Sequence, residues 1–116
     1  MQRIASNRIG VDQGSSILFS DFEDGGKMWT GHGPREARKS ILFAEPFKVP
    51  PVVTVGISMW DLDQKSNQRS DIAAERITET GFDIVFKTWG DTRVARIRAD
   101  WVAFGAVKDD EDWEIL

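Results

Sequence analysis

The sequence has no cysteine and only one histidine, His32, among its 116 residues. The absence of cysteine excludes disulfides, thiolate metal sites and a thiol nucleophile. It fits a reducing compartment and leaves export without disulfides open. No apolar run approaches the roughly 20 residues of a membrane-spanning helix, so we expect no membrane insertion. Residues 1–10 include arginines but no apolar segment, so no secretory signal is predicted and the cellular location stays open.

Charge and motifs argue against further classes of function. The formal net charge of -4 argues against general nucleic-acid binding. The chain has no Gly-x-Ser-x-Gly motif, no P-loop and no pair of metal-binding histidines, so we expect no enzymatic activity. Asp61 and Asp63 could hold a cation, but the residues after them lack the glycine and the bidentate glutamate of an EF-hand. We therefore expect neither a metal nor a cofactor.

Hydrophobic patterning predicts an all-β fold. A chain of 116 residues with 41% hydrophobic residues indicates one globular domain with a core. Short runs rich in β-branched residues alternate with turn residues, which favours an antiparallel β-sandwich. The predicted strands are Ser16–Ser20, Lys39–Phe43 and Val52–Met59, the last with Val53, Val55, Ile57 and Met59 on one face.

Two further segments complete this interpretation. Residues 71–78 fit either a strand or a short helix by periodicity. Residues 21–35 are rich in glycine and aspartate, and we predict a long loop without regular structure there.

Residues 82–101 alternate around Gly90 and Asp91, a pattern that predicts a β-hairpin with a two-residue turn. The outer face of this hairpin would pair Asp83 with Arg98. The inner pairs would be Phe82 with Ala99, Ile84 with Ile97 and Phe86 with Ala95. Trp89 would then lie on the solvent side of the tip. An aromatic ring at the rim of a rigid scaffold favours a binding surface, and the alternative is a cover for the hairpin end or a contact between protomers.

Seven segments occur in an order and spacing that resemble the H-type lectin domain, the family of the snail agglutinin and the discoidins. The resemblance covers about residues 38–105. The segments are Phe43-x3-Phe47, Pro50-Pro51-Val52-Val53, Ile57-x3-Asp61, Asn67-x-Arg69, Gly81-Phe82, Thr88-Trp89-x-x-Thr92-x-Val94 and Trp101-Val102-Ala103.

The resemblance implies a six-stranded antiparallel β-sandwich that assembles as a homotrimer, with a hexamer left open. It also implies shallow glycan sites near protomer boundaries, for galactose- or N-acetylgalactosamine-type sugars. We predict bacterial surface glycans as a further ligand class. Residues 1–37 would be a strand and long loop of the same domain, and 38–105 the sandwich. Residues 106–116 would be a solvated acidic tail, with docking of Trp113 and Leu116 as the alternative.

The resemblance also implies site residues. The family arginine that holds sugar hydroxyls corresponds to Arg69, and the family tryptophan to Trp89. The acidic ligand of the snail lectin aligns with His32 without a gap, or with Glu36 after a shift. The residue after the tryptophan, a histidine in the snail lectin, is Gly90 in this sequence.

A sugar-binding site needs an aromatic ring for the C–H face of the sugar and charged groups for its hydroxyls. Trp89 would supply the ring, and Arg69, Asp91 and His32 the hydrogen bonds. Asp61 is expected to cap its loop or to anchor Arg69, and Asp63 is the alternative partner of that arginine.

A second hypothesis is a trimeric structural module, for example phage-tail-like, without sugar binding. It is favoured by Gly90, by Ala95 at a family tyrosine position, and by the missing carboxylate. An enzyme acting on polysaccharide would instead require a deep cleft with two carboxylates.

Overall fold

The computed structural model describes residues 1–109, and these form six β-strands and two short helices. The elements are β1 (Ile9–Ser20), α1 (Asp21–Asp24), α2 (Lys27–Thr30), β2 (Arg35–Leu42), β3 (Val52–Leu62), β4 (Asp71–Glu75), β5 (Gly81–Thr88) and β6 (Val94–Ala106). Two three-stranded antiparallel sheets, β1-β6-β3 and β2-β5-β4, form a sandwich. The all-β antiparallel prediction is confirmed. The expectations for Trp113 and Leu116 lie outside the described residues.

The predicted hairpin of residues 82–101 is wrong, because β5 and β6 are the central strands of different sheets. The chain crosses between the sheets through residues 89–93, which we call the crossover loop. The apolar residues of the two strands meet across the core. The rings of Phe82 and Trp101, for example, lie 5.3 Å apart between centroids. Alternation shows which face of a strand is buried, but both side-by-side pairing and face-to-face packing satisfy it.

The core consists of two clusters between the sheets. One contains four aromatic side chains, and Phe43 lies at its centre, with ring centroids 5.0 Å from Phe47 and 5.7 Å from Phe82. The other lies towards the crossover loop and is formed by Met28, Phe86, Val94 and Ile97. Since Met28 belongs to α2, this short helix helps to close that end of the sandwich.

The segment predicted as an irregular loop contains two helical turns instead. Gly25, at φ 64°, ends α1 in the left-handed conformation that favours glycine. The Asp21 side chain then accepts a hydrogen bond from the Met28 amide at 2.9 Å. These local contacts let a Gly- and Asp-rich sequence hold Met28 in the core. None of the helices in the described part of the chain is long and apolar enough to span a membrane.

Strand bounds also differ from the prediction. The first strand starts at Ile9, because β1 pairs with β6 over its full length despite its polar residues. In β3 the register shifts between Ile57 and Met59, so Met59 lies opposite the exposed Arg98 and leaves the face it was predicted to share. Residues Asp71–Glu75 form a strand, which settles the ambiguity of that segment.

Asp83 lies on the outer side of β5, where the pairing with Arg98 was predicted. It instead accepts hydrogen bonds from Ser40 Oγ at 2.9 Å and from Arg38 Nη1 at 3.0 Å. These two bonds, that of Ser40 first, lower the pKa of Asp83 from its ordinary value. A lowered folded-state pKa stabilises the fold above the unfolded-state pKa of about 3.9 and ceases to do so as the pH falls through the folded value.

We expect Asp83→Asn to unfold at a lower temperature than the wild type at pH 7. The amide has no charge to pair with Arg38, although it can still accept from Ser40. The difference in Tm should shrink as the pH falls below about 4, because the wild-type carboxylate then takes up a proton. Thermal unfolding followed by circular dichroism at several pH values measures this. A difference that is constant over this range would contradict the assignment.

Gly14 lies opposite Trp101 in the pairing of β1 with β6. A Cβ at Gly14 would lie 2.7 Å from the indole Nε1, so Gly14→Ala must displace a buried ring. We expect the free energy of unfolding to fall by about 1–3 kcal/mol. Gly56→Ala is the matched control, because apart from Gly56 and its chain neighbours nothing lies within 4 Å of its Cβ position. Urea denaturation at one fixed protein concentration compares the two, and equal losses would be inconsistent with this packing.

Candidate functional site

The crossover loop lies at the end of the sandwich where β5 ends and where β2, β4 and β6 begin. Gly90 adopts φ 70°, a conformation that glycine reaches without strain. Two buried threonines, Thr88 just before the loop and Thr92 within it, enclose its exposed tip. These two threonines are buried, while Trp89, Gly90 and Asp91 between them are exposed.

The two threonines attach the segment 67–69 to the loop. Thr88 Oγ1 donates a hydrogen bond to the Arg69 carbonyl at 2.5 Å. Thr92 Oγ1 accepts one from the Arg69 amide at 3.1 Å and donates another to the Asn67 carbonyl. The backbone of Arg69 is thus held from both sides.

The Arg69 guanidinium forms an ion pair with Asp91, so its predicted pairing with Asp61 or Asp63 is wrong. Asp61 lies opposite Arg96 in the pairing of β3 with β6 and forms an ion pair with it at 3.5 Å. Asp63 instead pairs with Arg93 at 3.4 Å. Since β3 continues to Leu62, strand pairing directs Asp61 to β6.

Gly90 provides room for the Arg69 guanidinium, because a Cβ there would lie 3.0 Å from Nη1. The hydrogen bond from Arg69 is the main cause that lowers the pKa of Asp91, so this carboxyl is ionised at neutral pH. The side chains of Arg69 and Asp91 are 34% and 50% exposed. A pair this exposed contributes little to stability but offers both donors and acceptors to solvent.

A shallow depression of about 300 Å³ lies beside the loop, on the side of β2. It is lined by Pro34, Arg35, Glu36, Lys87, Thr88 and Trp89. Trp89 is 44% exposed, in agreement with the prediction of a solvent-facing ring. The depression therefore combines an aromatic wall with charged groups of both signs.

The predicted site residues do not all line this depression. Trp89 does, whereas Arg69, Gly90 and Asp91 form a cluster on the β4 side of the loop. His32 is exposed and is absent from the lining. Its segment nevertheless touches the loop, because the Gly33 amide donates to the Gly90 carbonyl at 3.0 Å.

Sequence reasoning missed Arg35 and Lys87. They join Trp89 because β2 pairs with β5, which sets Arg35 opposite Thr88 and Glu36 opposite Lys87. Such long-range register leaves no local signal in the sequence. Within residues 1–109 no group of three or more acidic, histidine or cysteine side chains is arranged to hold a metal ion.

Comparison with known proteins identifies relatives. The H-type lectin domain matches residues 38–104. A protein of Fuscovulum blasticum called ATP synthase subunits region ORF 7 is 69% identical over 107 residues, which are 92% of this chain and 93% of that protein. A discoidin-1 polypeptide of Dictyostelium discoideum is 36% identical over 75 residues, which are 64% of this chain but 30% of that protein.

A solved structure agrees in fold. Discoidin II of Dictyostelium discoideum superposes with a TM-score of 0.74 at 24% identity, over 90% of this chain and 40% of that one. This chain thus spans well under half the length of the discoidins. The family resemblance inferred from the sequence is confirmed by the domain match over more than half of the chain, and this chain belongs to the H-type lectin domain family.

Proposed function

We propose that this chain is a carbohydrate-binding lectin whose site lies at the crossover loop. The exposed ring of Trp89 beside a shallow depression supports this most directly. A sugar ring has an apolar C–H face that packs on an aromatic ring, and hydroxyls that need polar partners. The family itself points to a non-enzymatic carbohydrate-binding fold.

The charged groups would bind the hydroxyls. Arg69 and Asp91 hold each other in position, and both keep exposed surface for further hydrogen bonds. Vicinal hydroxyls could donate to the carboxylate and accept from the guanidinium, which makes charge-assisted bonds to both. His32 would approach from the segment bonded to Gly90. In this proposal the sugar spans the loop between the Trp89 and Arg69 sides.

We propose galactose- or N-acetylgalactosamine-type sugars, or bacterial surface glycans, as ligands. A carboxylate commonly fixes an axial hydroxyl of such sugars, and His32 occupies the aligned position of the family acid. Glu36 is the alternative acid, since it lines the depression together with Trp89. In this alternative the acid comes from β2, with Asp91 as a second carboxylate across the loop.

We propose that three copies assemble, with pairing of trimers as a further possibility. The outer face of the β1-β6-β3 sheet favours this, because Val11, Phe104 and Val52 share one row of side chains. Val11 is 69% and Phe104 38% exposed. Exposed apolar patches of this kind are typical of protein interfaces. Three weak sites on one assembly would add avidity towards a glycan-covered surface.

The outer face of the other sheet differs in chemistry. There Arg38 pairs with Glu36 at 3.7 Å, with Glu75 at 3.2 Å and with Asp83 at 3.0 Å. Charged side chains are depleted at the centres of interfaces, so this face is the better candidate for solvent.

The second candidate is a trimeric structural or assembly module without sugar binding. It is favoured by the engagement of Arg69 with Asp91, which already uses the guanidinium. Ala95 is only 5% exposed, so at this position, where the family has a tyrosine, no side chain is available to contact a sugar. An apolar sheet face serves an assembly role equally well.

A glycan array that includes bacterial polysaccharides tests the lectin proposal. We expect wild-type binding, and a loss of about tenfold or more for Trp89→Ala and for Arg69→Ala, since about 1.4 kcal/mol of lost contact energy corresponds to tenfold. Trp60→Ala is the matched control, because this tryptophan is 61% exposed and lies outside the depression. A folded, assembled protein that leaves the array blank would favour the structural module.

Sedimentation velocity tests the assembly. We expect a trimer for the wild type at micromolar concentration and a monomer for Phe104→Arg, because the charge would be buried in the proposed interface. Leu42→Arg serves as control, since Leu42 is 82% exposed on the other sheet. A wild-type monomer, or a trimer that tolerates Phe104→Arg, would rule out this interface.

A further inference from the structure

Arg35, the first residue of β2, is a buried cation with 8% exposure. Buried charges are normally paired with an opposite charge. In the described part of the chain no carboxylate lies within ion-pair distance of Arg35. Backbone carbonyls accept from its guanidinium instead: Gly33 from Nε at 2.9 Å, Met28 and Lys27 from Nη1 at 3.2 and 3.5 Å, and Gly90 from Nη2 at 3.2 Å.

These carbonyls belong to three separate segments. Lys27 and Met28 lie in α2, Gly33 lies between α2 and β2, and Gly90 lies in the crossover loop. The hydrogen bond from Arg35 to Gly90 joins residues that are distant in sequence. The same Gly90 carbonyl also accepts a hydrogen bond from the Gly33 amide at 3.0 Å. One side chain thus joins the end of the 27–34 segment to the loop that carries Trp89.

We propose that Arg35 is the positioning residue of the lectin site: it holds the crossover loop against residues 27–34, so that Trp89 stands at the depression. This inference rests on the proposed function. The walls of the depression include Pro34 on one joined segment and Trp89 on the other. If the two segments separate, the ring loses its fixed distance from Pro34 and Glu36.

The contact pattern requires a guanidinium. Arginine presents five N–H donors in a rigid plane, which reach carbonyls in several directions at once. A lysine ammonium is a point donor on a flexible chain and cannot reproduce four contacts across three segments. Burial lowers the pKa of Arg35 from its ordinary value, yet arginine stays charged at neutral pH.

The fold itself depends less on this residue. The other side of the loop is held by Thr88 and Thr92, which bond the backbone of residues 67–69. β2 also stays paired with β5 along its length. Removal of the guanidinium should therefore release one side of the loop while the sandwich remains.

The test compares full-length wild type with Arg35→Ala and Arg35→Lys. Asp12→Ala is the matched control. The Asp12 carboxylate also links a side chain to the backbone of a distant segment, because it accepts a hydrogen bond from the Ala44 amide at 2.8 Å, but it does so at the other end of the sandwich. Hydrogen exchange of the Gly33 amide measures, without any ligand, whether its hydrogen bond to the Gly90 carbonyl persists. Glycan affinity is measured on the glycan that binds the wild type, with and without free guanidinium at low millimolar concentration.

We expect both Arg35 variants to exchange the Gly33 amide at least about tenfold faster and to bind the glycan about tenfold more weakly. Free guanidinium should partly restore binding to Arg35→Ala only, an effect that a general loss of stability would not give. The Asp12 control should keep both properties. If Arg35→Ala does not fold, Arg35→Lys decides the outcome.

Unchanged exchange at Gly33, or full affinity in both Arg35 variants, would overturn the proposal while the lectin function stands. A wild type that binds no glycan on the array would instead overturn the lectin function, and with it the role of Arg35 in binding. The two failures are thus separate observations.

Discussion

The crossing between β5 and β6 is the constraint on which the loop end of this sandwich depends. The two strands are consecutive in the chain, yet each is the central strand of its own sheet. Packed sheets lie about 10 Å apart, so residues 89–93 must bridge that distance. A loop in this position cannot be a tight hairpin turn. It needs lateral support, which neighbouring segments provide through Thr88, Thr92 and Arg35.

Three arginines illustrate how environment decides the role of one residue type. Arg35 is buried and is satisfied by backbone carbonyls from three segments. Arg38 is partly exposed and forms ion pairs with three carboxylates on the outer face of β2-β5-β4. Arg69 is partly exposed beside Gly90 and pairs with Asp91. In our proposal the first positions the crossover loop and the third binds sugar hydroxyls, while the second pairs with carboxylates on a sheet face.

The outer faces of the two sheets differ in chemistry, and in our proposal they differ in role. The charged face of β2-β5-β4 resembles an ordinary solvated surface, whereas the face of β1-β6-β3 exposes Val11 and Phe104. In our proposal the apolar face associates with other copies and the loop end binds sugar. Avidity would then follow from geometry, because each copy in a trimer presents the same end.

Local patterns in the chain were enough to predict the all-β class, the family, the buried faces of β5 and β6 and the exposure of Trp89. These properties follow from alternation within each strand and from the order of the motifs. Three other features could be seen only in the tertiary structure. The strands β5 and β6 lie in different sheets, and Arg69 pairs with Asp91 and not with Asp61. In addition, Arg35 lies beside Trp89. Each of these depends on contacts between residues distant in the chain. Alternation with period two is satisfied equally well by a neighbouring strand or by the opposite sheet, so it cannot choose between them.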